Sequence, residues 1–123
     1  MFFISLGTNV VNGRTLLQEA LRSLAAQFPL RRVSTVTSSP ALNPAHPAYL
    51  NAVASFDNPA GLTADDINCR LKEIEKSLLR LPCPASGCVA IDLDLVILNG
   101  EILRPKDYER SYFAIPYSQC NNQ

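Results

Sequence analysis

The feature that most constrains the fold is a ten-residue segment, residues 89–98, in which apolar and acidic side chains alternate. Successive side chains of a β-strand point to opposite faces, so one face of this strand carries Val89, Ile91, Leu93, Leu95 and Ile97. Asp92 and Asp94 then lie side by side on the other face, roughly 6.5–7 Å apart at their Cα atoms. Two carboxylates at this spacing suit a divalent cation together with phosphate oxygens. A strand whose second face is simply solvated explains the pattern equally well.

Length and charge limit the classes of protein to consider. A chain of 123 residues with 47% hydrophobic residues predicts a single domain, residues 1–123, with an ample core. Its 11 basic and 11 acidic residues cancel, so we expect neither nucleic acid nor a membrane surface as a partner. No basic leader precedes the short apolar start, and no apolar run approaches the ~18 residues of a membrane span. We therefore expect a soluble, cytoplasmic protein. We also expect it to be a monomer.

Hydrophobic periodicity and turn residues predict an alternation of strands and helices. The first strand is predicted at 2–6, closed by a turn at Gly7-Thr8-Asn9, and a helix follows between Gly13 and Pro29. Two more strands are predicted at 32–38 and 49–56. A second helix then runs from the capping Thr63 to Pro82 and leads to the acidic strand. Asn99-Gly100 between apolar residues is a strong signal for a two-residue hairpin, and Ile102 and Leu103 would form its return strand. A turn of helix and a docked tail complete the prediction for 106–123.

The order β-α-β-β-α-β favours a split βαβ arrangement, an antiparallel sheet with both helices packed on one face. The opposite face is then available for a ligand. With a period of two, Leu50 and Leu93 face the helices, and four polar or aromatic side chains share the open face: Tyr49, Asn51, Asp92 and Asp94. An aromatic ring and an amide suit a flat heterocycle, and paired carboxylates suit a metal-bound phosphate. These four residues form the predicted site.

Four motifs extend this pattern over nearly the whole chain: Ile4-Ser5-Leu6-Gly7-Thr8-Asn9, Pro47-Ala48-Tyr49-Leu50-Asn51-Ala52, Ile74-Glu75 and Ile91-Asp92-Leu93-Asp94. Together they resemble the 6-hydroxymethyl-7,8-dihydropterin pyrophosphokinase family of folate biosynthesis. The resemblance implies a ferredoxin-like α+β fold, βαββαβ with both helices on one face of the sheet, to which the Asn99-Gly100 signal adds a small C-terminal hairpin.

The family resemblance also implies an activity, transfer of a pyrophosphoryl group from ATP to the hydroxymethyl group of a reduced pterin. Asp92 and Asp94 would bind two Mg²⁺ ions alongside ATP, with Arg80 as a third catalytic residue. The pterin would lie among Ser39, Leu42, Tyr49, Asn51 and Tyr112. The nucleotide would lie near Lys72, Glu75, Leu95, Tyr108 and Arg110. ATP and a reduced pterin are thus the expected partners.

Two segments depart from the family pattern. Family members carry an arginine-rich loop between the second helix and the acidic strand, whereas the corresponding loop at 81–89 contains no arginine. Val89 stands where the family's W-G-x-R signature ends in arginine. In the segment resembling the family's P-H-Y motif, Asp107 stands where histidine is expected. Each lost guanidinium removes charge-assisted hydrogen bonds worth ~1.5–3 kcal/mol, so we expect transfer to be slow or lost.

Three functions therefore remain open at the level of sequence. The first is a pyrophosphokinase of minimal form, in which Arg80, Lys106 and Arg110 partly replace the missing arginines. The second is a relative that binds a pterin or nucleotide without transfer. The third is a ferredoxin-like interaction module with an incidental acidic strand, and the joint presence of Asp92 and Asp94 with Tyr49 and Asn51 argues against it.

Overall fold

Strands and amphipathic helices alternate along the chain as the hydrophobic pattern predicts. The computed structural model describes residues 1–9, 13–39, 48–78, 91–109, 113–114 and 117–118. The strands are β1 Phe2–Thr8, β2 Leu30–Val33, β3 Thr37–Ser39, β4 Tyr49–Phe56, β5 Asp92–Leu98 and β6 Glu101–Ile102. The helices are α1 Gly13–Gln27, α2 Ala64–Leu78 and α3 Pro105–Glu109. The mixed α+β class predicted from the sequence is confirmed.

The described strands form one antiparallel sheet in the order β2-β4-β1-β5-β6, and β3 also pairs with β4. The strand predicted at 32–38 is interrupted, because Val33 pairs with Ala54 and Thr37 with Asn51. The five residues from Val33 to Thr37 therefore span the same length as the four from Ala54 to Asn51, so the edge segment contains one extra residue. Ser34 bridges the break, since its N–H donates to the Val53 carbonyl and its Oγ accepts from the Val53 N–H, each at 2.9 Å.

Both long helices pack on one face of the sheet. The core between them and the strands is formed by Phe2, Ile4, Leu6, Leu16, Leu17, Ala20, Leu24, Phe28, Ala54, Phe56, Ile67, Leu71, Ile74, Ile91, Leu93 and Leu95. The predicted capping box begins α2: the Asp66 N–H donates to Thr63 Oγ1 and the Thr63 N–H to an Asp66 carboxylate oxygen, both at 3.2 Å. Among the described helices, none has the length and apolar character that a membrane span requires.

The opposite face, called the outer face below, was predicted to be open, and this is only half correct. A second apolar cluster covers one end of it: Phe3, Val53, Val96, Ile97 and Phe113, with Tyr108 and Tyr117 packed alongside. Ile97 was predicted to share the face of Leu93, but Phe3 pairs with Ile97 and Ile4 with Leu95. Val96 is thus an extra residue, and this β-bulge turns Ile97 to the outer face. Val89, which was also predicted to share the face of Leu93, lies outside the described residues.

The predicted hairpin is confirmed at the carboxyl end of β5. Asn99 and Gly100 both have positive φ angles, 50° and 85°, which is the geometry that makes Asn-Gly a preferred two-residue turn. After β6 the chain is held by a hydrogen bond from the Leu103 N–H to the Val96 carbonyl at 2.7 Å. It then enters α3, the predicted single turn of helix. The hairpin therefore returns the chain alongside β5, next to the two aspartates.

Candidate active site

The open half of the outer face is built from neighbouring rows of side chains on the three central strands. Gly7 of β1 pairs with Asn51 of β4 on one side and with Asp92 of β5 on the other. Two residues back along β1, Ser5 pairs with Val53 and Asp94. Because residues two apart share a face, the pairing places Asn51 and both aspartates on one surface.

A cavity of about 300 Å³ lies over these rows. Its walls are formed by Ser5, Gly7, Tyr49, Asn51, Asp92, Asp94, Arg104 and Asp107. Leu93 is 4% exposed in the core beneath the helices, and Leu50 packs against the same core. The predicted common face of Tyr49, Asn51 and the two aspartates is therefore present, while the roles assigned to these residues remain predictions.

Gly7 forms the floor of this cavity. The sequence predicted a turn at Gly7-Thr8-Asn9, and that prediction is wrong, because β1 continues through Gly7 to Thr8. A Cβ atom on Gly7 would lie 3.3 Å from Asn51 Oδ1, closer than ordinary contact. A glycine inside a strand often marks a place where something approaches the backbone closely. Here it leaves a gap one side chain wide between Asn51 and Asp92.

The acidic end of the cavity holds more carboxylates than cations. Burial raises the pKa of Asp94 above its usual value, the Arg104 guanidinium opposes this shift, and Asp92, Asp107 and Glu75 add to it. Arg104 Nη1 lies 3.8 Å from Asp94 Oδ1, and its Nε donates to Asp107. Asp94 is half-buried and Asp92 exposed. Crowded carboxylates of this kind attract cations.

The donor set suits magnesium, since hard divalent cations take carboxylate oxygens as ligands. Within the described ranges, no group of three or more His, Cys, Asp or Glu side chains is arranged to hold a metal ion. Asp92 and Asp94 would therefore need other oxygens to complete an octahedral shell. Phosphate oxygens and water normally supply these at magnesium–nucleotide sites.

A second cavity of about 310 Å³ adjoins the first, between α2 and β5. Lys72 and Glu75, both predicted near the nucleotide, line it together with Asn68, Leu71, Asp92, Leu93, Asp94 and Arg104. One Glu75 carboxylate oxygen accepts a hydrogen bond of 2.9 Å from the Leu93 N–H. That N–H lies between the two aspartates, so Glu75 ties α2 to β5 at the acidic site.

Two of the other predicted site residues, Leu95 and Tyr108, do not line these cavities. Leu95 is 2% exposed within the core beneath the helices, so its side chain does not reach either cavity. Tyr108 packs against Phe113 and Tyr117, with ring centroids 6.0 and 5.6 Å away, on the covered half of the outer face. Ser39 pairs with Tyr49 at the end of β3. The remaining predicted residues lie outside the described part of the chain: Leu42, Arg80, Arg110 and Tyr112.

Four residues that line the first cavity were not predicted as site residues: Ser5, Gly7, Arg104 and Asp107. Ser5 and Gly7 carried a usable signal, because Phe2, Ile4 and Leu6 are apolar at the alternate positions of the same strand. Asp107 was noted only as a departure from the family's P-H-Y motif, and Arg104 carried no signal. Their location depends on how the β5–β6 hairpin returns to the sheet.

The fold and this site together define a small α+β protein with a polar cavity on its sheet. The family model for 7,8-dihydro-6-hydroxymethylpterin-pyrophosphokinase (HPPK) matches residues 3–122, nearly the whole chain. This chain therefore belongs to the HPPK family.

Proposed function

We propose that this protein transfers the pyrophosphoryl group of ATP to the hydroxymethyl group of a reduced pterin, a step of folate biosynthesis. One observation carries the proposal: an aromatic ring and a buried amide, Tyr49 and Asn51, face the same cavity as the Asp92–Asp94 pair. Side chains suited to a heterocycle and side chains suited to a metal-bound phosphate thus line one cavity. Membership of the HPPK family supports the same reaction.

The pterin is assigned to the end of the cavity formed by Tyr49, Asn51 and Gly7. Asn51 is only 6% exposed, and its amide has both a donor and an acceptor group, which match the edge of a pterin ring. The half-buried Tyr49 offers a ring face for stacking. The glycine floor admits a flat ring system where any other residue would project.

The polyphosphate is assigned to the acidic end, with the nucleotide entering from the second cavity beside Lys72 and Glu75. Asp92 and Asp94 would hold Mg²⁺, which when bound supplies charge neutralisation along the polyphosphate. The pterin hydroxyl oxygen attacks the β-phosphorus, the bond from that phosphorus to the oxygen it shares with the α-phosphorus breaks, AMP leaves, and the hydroxyl proton is released. The chain's own contribution is to hold both substrates in line for this displacement.

We infer the ferredoxin-like topology from the strand order. With β2 and β3 counted as one interrupted strand, the four principal strands lie in the order β2-β4-β1-β5, which is the order expected for βαββαβ. Helices α1 and α2 pack on one face of this sheet. The monomeric state is a further prediction, checked by light scattering.

The test is calorimetry with Mg²⁺ and α,β-methylene ATP, then with 6-hydroxymethylpterin, followed by a transfer assay with ATP and the dihydropterin. We expect both ligands to bind and AMP to form in step with the pterin pyrophosphate. Binding of the pterin without AMP formation would instead make the protein a non-catalytic relative. Binding of neither ligand would overturn the proposal.

The rate in the same assay tests the expectation of slow transfer. That expectation rests on the loop at 81–89, which lies outside the described residues. A turnover number equal to that of a family member with the arginine-rich loop would contradict it.

A further inference from the structure

Arg104 occupies the junction of the two cavities, although neither the motifs nor the predicted site includes it. The polar cavity over Gly7 and the cavity beside α2 share three side chains, those of Asp92, Asp94 and Arg104. Its guanidinium is thus positioned where the pterin end and the nucleotide end of the proposed site meet.

Hydrogen bonds fix the main chain at Arg104, whereas its side chain is held by a hydrogen bond to Asp107 and only weakly by Asp94. The Leu103 N–H donates to the Val96 carbonyl at 2.7 Å, and the Arg104 carbonyl accepts from the Tyr108 N–H at 3.0 Å. The side chain itself is 50% exposed and lies 3.8 Å from Asp94, a separation at which an exposed ion pair is weak. Its second acidic neighbour, Asp107, lies one helical turn away on α3. Arg104 can therefore leave Asp94 without disturbing the backbone that anchors it.

The charges around the junction of the two cavities favour a movement of Arg104 from carboxylate to phosphate. Four carboxylates surround the junction, those of Glu75, Asp92, Asp94 and Asp107, and Lys72 and Arg104 are the cationic side chains lining the described walls of the two cavities. A polyphosphate entering beside these carboxylates is repelled unless cations intervene. A guanidinium is suited to both tasks, because its planar donors match carboxylate and phosphate oxygens alike.

We propose that Arg104 neutralises Asp94 in the metal-free protein, is displaced from Asp94 by the divalent cation, and then binds the polyphosphate of the nucleotide. The binding of Arg104 to the polyphosphate rests on the proposed function, since the nucleotide must enter the same site. Arg104 is a positioning residue in the first state and a substrate-binding residue in the second. Removing the Arg104 guanidinium should therefore raise the affinity for the divalent cation and lower the affinity for the nucleotide.

The test compares Arg104→Gln with wild type in two titrations, Mn²⁺ alone by electron paramagnetic resonance and Mg²⁺ with α,β-methylene ATP by calorimetry. We expect Mn²⁺ to bind about two- to fivefold more tightly to the variant, because its competitor for Asp94 is gone. The nucleotide should bind at least about tenfold more weakly, because charge-assisted hydrogen bonds to phosphate are lost. Arg104→Lys should keep the wild-type Mn²⁺ affinity and show an intermediate loss of nucleotide affinity.

Arg31→Gln is the matched control, because Arg31 pairs with Asp57 at 2.9 Å with a similar exposure of 49%, away from both cavities. It should change neither titration. Unchanged or weaker Mn²⁺ binding in a folded Arg104→Gln would overturn the displacement step. Unchanged nucleotide binding would overturn the phosphate step.

The two proposals fail in different ways. Wild-type protein that binds Mn²⁺ but no nucleotide would refute the proposed function and the phosphate step, while the Mn²⁺ titration still decides the displacement step. If Arg104→Gln does not fold by circular dichroism, Arg104→Lys decides the phosphate step, and Asp107→Asn decides the displacement step. Freed from Asp107, Arg104 should compete more strongly for Asp94, so Mn²⁺ should bind more weakly. Unchanged or tighter Mn²⁺ binding would contradict displacement.

Discussion

The outer face of the sheet has two halves of opposite character, although β1, β4 and β5 form both. In the covered half, Phe3, Val53 and Ile97 pack with Phe113, which is fully buried. In the open half, Gly7, Asn51 and Asp92 lie in one row and face a cavity. The change takes only two residues on each of β1 and β4, from Phe3 to Ser5 and from Val53 to Asn51.

This contrast shows how a small sheet provides both stability and a binding surface. Apolar burial beneath the helices and in the covered half stabilises the strands, so the open half does not need apolar side chains. A glycine in a strand is unfavourable, yet Gly7 is tolerated because β1 is paired on both sides. Substitutions in the covered half should therefore change stability, and those in the open half should change ligand binding.

The largest effect is expected for Asp92→Ala in the open half. Removing one ligand of the proposed metal site should reduce pyrophosphoryl transfer about a thousandfold, roughly 4 kcal/mol, while folding is retained because Asp92 is exposed. Transfer rates at saturating Mg²⁺ and substrates measure this. Asp57→Ala removes an acid near the other end of β4 and should retain the wild-type rate. A folded Asp92→Ala enzyme with a normal rate would refute the metal site.

A comparably large effect on stability is expected for Phe113→Ala in the covered half. Phe113 is stacked on Tyr117 at 5.3 Å between centroids and packs against the sheet, so its removal should lower the free energy of unfolding by about 3–4 kcal/mol. Urea denaturation monitored by circular dichroism measures it. Tyr49→Ala, which removes an aromatic ring from the open half, should lower stability by less than half as much. Equal losses would show that the two halves do not differ.

Much of this contrast follows from sequence, because it depends on local periodicity. The alternation in β4 and in the first part of β5 placed Tyr49, Asn51 and the two aspartates together, and the helical stripes identified the face they avoid. The Asn99-Gly100 turn and the Thr63 cap were equally predictable, since each depends on residues within one turn of chain.

The features that were missed depend on pairing between distant segments. The bulge at Val96 is visible only in the pairing of β5 with β1, where β5 has one residue more than β1. No pattern within β5 itself indicates it. Gly7 is followed by residues typical of a turn, and its pairing with both β4 and β5 shows that it instead lies inside a strand at the cavity floor. Arg104 reaches the site because the hairpin returns beside β5. Each of these features is set by contacts between segments that are distant in the sequence, which local patterns do not show.

A moderate effect is expected for Gly7→Val, which inserts a side chain between Asn51 and Asp92. Pterin binding should weaken about a hundredfold, roughly 2.7 kcal/mol, because the ring and the new side chain compete for one space. Gly7→Ala adds only a Cβ, 3.3 Å from Asn51 Oδ1, and should have a smaller effect. Calorimetry with 6-hydroxymethylpterin measures both. Most of the nucleotide affinity should remain, since that ligand is assigned to the cavity beside α2. Normal pterin binding by a folded Gly7→Val variant would remove Gly7 from the site.

The smallest effect is expected for Asp94→Asn in metal-free protein, and it depends on pH. Burial raises the pKa of Asp94 in the folded state above the unfolded value of 3.8, so the folded protein binds this proton more tightly than the unfolded chain does. The ionised carboxylate therefore lowers stability, beginning as pH rises through 3.8 and fully above the folded-state pKa.

Asn cannot ionise, so near pH 7 the variant should be more stable than wild type. The gain should be at most about 1 kcal/mol, because the side chain is one-third exposed and Arg104 offsets part of the penalty. The gain should shrink as pH falls and vanish below about 3.8, where Asp94 is protonated in both states. Urea denaturation in EDTA across this pH range measures it, with Asp57→Asn as the control that should show no gain. A loss of stability at pH 7 would mean that Asp94 supports the fold through Arg104, and the division of the outer face into a stabilising half and a binding half would then fail at this residue.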